Sequence, residues 1–152
     1  MAEKKFKGEF KLDVRDSKPD WDPYIPSLYA EHIYFFSDMH VQNHGMEQAT
    51  FISPHNSAIK LDLQPTNHSD FNVLPIEQMM LVWCAVNHTT CPNVLPGADE
   101  RITPYQALKC ITINAAHWYS EEKTKGSLKE GKLADLVILD LNPLKADPLK
   151  IN

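Results

Sequence analysis

Apolar and polar positions divide the chain into segments of different period. Near the start, Phe6, Phe10, Leu12 and Val14 are interleaved with lysines and acids, which predicts at most a short edge strand before Pro19 and Pro23 break it. Ile25 to Phe36 is dense in large apolar and aromatic residues, Ile25, Leu28, Tyr29, Ile33, Tyr34, Phe35 and Phe36. That density predicts a buried strand running into a polar loop that carries His40 and His44. Ser53-Pro54 predicts a helix start, with Ser as cap and Pro in the first turn, reaching about Lys60. Leu63 to Asn67 follows as a short strand, against which Pro65 counts because it removes a ladder donor.

The clearest helical period runs from Pro75 to His88. Ile76, Met79, Met80 and Trp83 fall on one face, and Leu81, Val82 and Val86 widen it. After a loop over Pro92 to Glu100, Thr103-Pro104-Tyr105-Gln106 reads as a capping box with Pro at the first helical position, opening a helix to about Trp118. Near Glu121 the character changes. Gly126 to Lys132 predicts a turn, and Leu133 to Asp140 a strand around the buried run Leu136 to Leu139, stopped by Asn142-Pro143 and Asp147-Pro148. Helices followed by turn-rich strands predict a second module.

Composition narrows the classes. A chain of 152 residues, 43% hydrophobic and 23% charged, suits a globular domain with a core. A net charge of −5 without a basic block argues against nucleic acid or an anionic membrane as partner. No apolar run has the length of a bilayer span, and Met1 to Lys7 shows no secretion signal. Three cysteines, Cys84, Cys91 and Cys110, lack framework spacing and fit reduced thiols in a cytoplasm.

The candidate chemistry centres on Thr66-Asn67-His68-Ser69-Asp70. A strand closing on a carboxylate, then a loop and a helix, is the layout of an α/β active-site edge, where chemistry gathers at the carboxyl ends of strands. Asp70 there could bind a cation or take a proton from water; as a turn or cap residue it would do neither. Taken singly, His32, His40 and His44 also read as ordinary hydrogen-bonded histidines. Cys84, His88 and Cys91 offer three zinc-type donors, without a fourth and without standard spacing.

Several motifs in order resemble a known family. Gly126-Ser127-Leu128-Lys129-Glu130-Gly131-Lys132-Leu133-Ala134-Asp135-Leu136-Val137-Ile138-Leu139-Asp140 resembles the C-terminal signature of the metal-dependent amidohydrolase superfamily. Arg101 to Pro104, Ala107-Leu108 and Thr112 to Ala116 resemble the helix before it, and Asn142-Pro143-Leu144 continues the match. His68-Ser69-Asp70, Trp83 to Asn87, Asp38-Met39-His40 and Ile52-Ser53-Pro54 resemble the family 3 branch, which includes N-substituted formamide deformylase-like enzymes.

The resemblance implies an α/β fold, the C-terminal portion of a TIM-type (β/α)8 barrel plus strands of an appended β-sandwich. On it, residues 1–24 are a poorly matching lead-in, 25–118 the barrel portion and 119–152 sandwich strands. Ile25 to Tyr34 would be the sixth barrel strand and Leu63 to Asp70 the eighth. His32 matches a metal-binding histidine, and Asp70 a carboxylate that binds metal and accepts the proton of the attacking water. His40 and His68 match positions lining the substrate pocket. The implied cofactor is a divalent metal, with zinc expected, held weakly or not at all by the isolated chain. The implied partner is the small-molecule amide of a parent enzyme. A whole barrel takes roughly 250 residues, and the first-strand His-x-His pair is absent from the sequence. The chain is therefore expected to be the C-terminal part of a longer enzyme, meeting its missing N-terminal portion or oligomerising. The rival expectation is a non-catalytic remnant that binds a partner through exposed surface.

Overall fold

The computed structural model describes residues 25–90 and 97–151. The edge strand expected over Phe6 to Val14, and Cys91 of the three-donor zinc reading, lie outside them.

Two strands form the sheet. β1 (Ser27–Leu28) and β2 (Thr66–Asn67) run parallel, with Ser27 opposite Thr66 and Leu28 opposite Asn67. Each is far shorter than expected. Pro26 and Pro65 stand immediately before them, and proline gives a strand no donor at its entry. Thr66 N donates to Pro26 O at 2.9 Å and His68 N to Leu28 O at 3.0 Å, so the ladder spans just these residues.

The aromatic run expected as a strand is instead helix α1 (Glu31–His44). Ala30, Ile33 and Ser37 are buried and Tyr34 and Val41 half-buried, an i, i+3, i+4 series that the aromatic composition masked. His32, His40 and His44 therefore all stand on this helix, and the expected polar loop is absent. Gly45, at φ 82°, ends it, its N–H donating to Val41 O at 2.9 Å. A short helix α2 (Met46–Ala49) follows.

Helix α3 (His55–Lys60) begins without a side-chain cap. Ser53, the expected cap, instead donates its hydroxyl to Tyr29 O at 2.5 Å, stitching this turn to the end of β1. Helix α4 (Gln78–Asn87) starts later than expected and leaves Ile76 exposed. Every residue from Leu81 to Asn87 is buried, so α4 is the central core helix and not an amphipathic surface one. It packs against α1 and α5 (Pro104–Ile111). Thr103 opens α5 as expected: its N–H donates to Gln106 Oε1 at 2.9 Å and its Oγ1 accepts from Gln106 N at 3.3 Å. The helix does not run on to Trp118. It breaks at Thr112 (φ −124°, ψ −93°), whose hydroxyl donates back to Leu108 O, and α6 (Ile113–Trp118) follows.

Gly97, at φ 71°, starts a 3-10 turn over Ala98–Glu100; a Cβ there would meet Thr50 O at 2.1 Å. Gly126, at φ 77°, lies flush on α6, where a Cβ would sit 2.7 Å from the Ala116 methyl. Beyond it, Leu133 to Asp140 is not a buried strand: Leu133 N donates to Thr124 O at 2.9 Å, but no ladder follows among the described residues, and Leu136, Val137 and Ile138 are exposed. A strand needs a neighbour for its backbone groups along its length, and past Leu133 the described residues offer none. An open hollow of about 450 Å³ separates this tail from α6, lined by Ile111, Ala115, Tyr119, Leu128, Leu136 and Val137 among others.

Candidate active site

Because β1 and β2 are parallel, their carboxyl ends open on the same side. From β1 come Tyr29 and, at the second position of α1, His32. From β2 come His68, Ser69 and Asp70. The two loops meet through rings. His68 stacks on Tyr29 with centroids 5.4 Å apart, and Tyr29 contacts His32 at 4.3 Å. His32 in turn lies 5.3 Å from His40. The predicted residues His32, His40, His68 and Asp70 thus share one neighbourhood, although forty positions of sequence separate its halves.

Buried hydrogen bonds hold the frame. Asn67 accepts from Ala30 N at 3.2 Å and donates from Nδ2 to Leu81 O at 3.1 Å, fixing β2 against the start of α1 and against α4. Ser27 Oγ lies 2.8 Å from His68 Nδ1, which leaves Nε2 as the ring's outward nitrogen. Asp70 is exposed, in left-handed backbone at φ 49°, a conformation that Asp tolerates better than most residues.

Electrostatics separate these groups. Burial holds the His32 imidazole below its ordinary pKa; His40 and His68 add to this, and the Asp70 carboxylate opposes it. Burial pushes the Tyr29 phenol up to about 12, with Glu31, Asp70 and Cys84 contributing. Glu31, next to His32, is buried with Oε2 unpartnered among the described residues; burial, then Glu77, raise its carboxyl to about 7. Sequence reasoning gives Ser27 and Glu31 no role, and names Tyr29 and Asn67 only as members of longer runs. Their one sequence signal is position, each next to or near a strand end.

The donors do not fit a metal by themselves. No group of three His, Cys, Asp or Glu side chains among the described residues could hold an ion. The three-donor zinc reading fares no better. Cys84 and His88 are buried at the end of α4, and burial raises the Cys84 thiol, opposing the thiolate that zinc needs.

The amidohydrolase family model matches residues 26–152. The chain belongs to the amidohydrolase family. Among relatives, the N-substituted formamide deformylase of Arthrobacter pascens is 36% identical over 64 residues, covering 42% of this chain and 12% of that enzyme. An imidazolonepropionase of Treponema denticola is 55% identical over 40 residues, 26% of this chain and 10% of the enzyme. A metal-dependent hydrolase from Pyrococcus horikoshii OT3 superposes with TM-score 0.68 at 22% identity, over 83% of this chain and 26% of that one. One from Pyrococcus furiosus gives 0.61 at 24% identity, over 78% and 24%. This amidohydrolase chain is thus a partial α/β piece of the family's TIM-barrel type of fold, spanning a small part of each relative. Among its described residues no helix is long and apolar enough to cross a membrane.

Proposed function

We propose that this chain carries the C-terminal part of a metal-dependent amidohydrolase that hydrolyses a non-peptide C–N bond, an amide or formamide. The observation that supports it most is the meeting of His32, His68 and Asp70 at the carboxyl ends of two parallel strands, the edge where barrel enzymes keep their chemistry. Asp70 is the base: its exposed carboxylate takes the proton of the attacking water and returns it to the leaving nitrogen. His32 is a neutral nitrogen donor, and His40 and His68 face substrate. The parent's cofactor is a divalent metal, with zinc expected. This chain's donors do not complete that centre, so proton transfer at Asp70 is the step assigned to it. The missing donors would come from an N-terminal portion, and residues 119–152 would supply strands of a sandwich with it. A cytoplasmic location belongs to the same reading. Co-expression with the N-terminal portion of a deformylase-like relative tests it: amide or formamide hydrolysis should appear and Asp70→Asn should abolish it. Full activity in that variant removes Asp70 from the mechanism.

A second reading, a non-catalytic module that binds a partner, is favoured by the exposed run Leu133 to Leu141. Under it, the co-expressed pair associates without turnover.

A further inference from the structure

Helix α1 carries His32, His40 and His44, and the last two stand one turn apart. Residues at i and i+4 share a helix face, with Cβ atoms about 5–6 Å apart. The rings of His40 and His44 lie within 23° of parallel, with centroids 6.2 Å apart. His40 Nε2 is buried and has no hydrogen-bond partner among the described residues, whereas His44 is exposed. A buried imidazole nitrogen left unsatisfied costs free energy that a ligand on it would recover.

We propose that His40 and His44 chelate a borderline divalent cation, such as zinc or nickel, at a two-imidazole site on α1 that borders the neighbourhood of His32 and uses neither His32 nor Asp70 as a ligand. Two histidines one helical turn apart are how helical zinc motifs present a pair of nitrogens to one ion. Imidazole suits these cations, and a tetrahedral ion held by two nitrogens completes its shell with water. Water is the fitting complement here because no third donor converges among the described residues. His32 is not the second ligand. Its ring lies 5.3 Å from that of His40, but it is engaged by Tyr29 at 4.3 Å and edge-on by Phe36 at 5.4 Å. The exposed His44 gives the ion its path from solvent. The site stands on this chain's own residues, and His44 takes no part in the hydrolase reading.

The test is a zinc chloride titration of the untagged chain at about pH 7, followed by histidine side-chain NMR. The ring signals of His40 and His44 should move together. His44→Ala and His40→Gln should each weaken binding about tenfold or more; His32→Gln and Asp70→Asn should leave it unchanged. Circular dichroism on His44→Ala, a surface change, checks that α1 is intact. Three results overturn the proposal: no shift at either ring, undiminished affinity in folded His44→Ala, or binding that vanishes with His32 or Asp70 instead.

Discussion

The Ser27 hydroxyl sits 2.8 Å from Nδ1 of His68, across 41 positions of sequence. This contact orients a ring on one strand's exit from the start of the neighbouring strand. Ser27→Ala should free it: the His68 ring nitrogens should then report a mixture of tautomers by NMR. An unchanged spectrum would mean that stacking on Tyr29 alone sets the ring.

Glu31 gives the fold a pH dependence on the alkaline side. Its folded carboxyl titrates at about 7, above its ordinary 4.5, so the folded state holds the proton more tightly. Its stabilising contribution is complete below 4.5 and is lost as pH rises through 7. Glu31→Gln should therefore raise the urea midpoint relative to wild type at about pH 8 and lose that advantage by about pH 5.

His55 acts in the opposite direction. It is fully buried, its Nδ1 donates to Ser53 O at 2.9 Å, and burial lowers its pKa to about 4. The unfolded chain takes up the proton first. The contribution of neutral His55 is complete above 6.5 and is lost as pH falls through 4. Between those values His55→Gln should show a flatter fall in thermal midpoint than wild type.

Thr103→Ala removes the capping box that opens α5 and should cost about 1 kcal/mol in urea unfolding. An unchanged midpoint would show that the buried Ala107 and Cys110 hold that helix end without the cap.

The isolated chain should hydrolyse neither N-formyl nor N-acetyl amines, since its donors do not complete a metal centre. Zinc it takes up should be lost on dialysis. One retained zinc per chain with clear turnover would show a self-sufficient enzyme.

The legible parts of this fold were those where local chemistry decides. Thr103, Pro104 and Gln106 specify their helix start among themselves, and the core helix at Leu81 to Val86 announces itself by composition. Asp70, His68 and His32 were legible as candidates through the motifs around them. The α1 helix was misread because Tyr34, Phe35 and Phe36 favour strands as a class, while burial of Ala30, Ile33 and Ser37 follows a helical period. Ser53 fits a cap by type, yet tertiary contact with Tyr29 takes its hydroxyl. Leu133 to Asp140 has the composition of a buried strand, and pairing depends on a neighbour that a strand's own residues cannot supply.

Gly126 has a consequence for that tail. Lacking a side chain, it lets the bend over 126–132 lie against Ala116 and Ile113, and Lys132 is gripped there by the carbonyls of Glu122 and Lys125 and the hydroxyl of Ser127. The tail therefore leaves the body from a fixed root and in a set direction. Any segment that joins it meets a template whose bearing α6 has already decided, so association would select by orientation as well as by apolar surface.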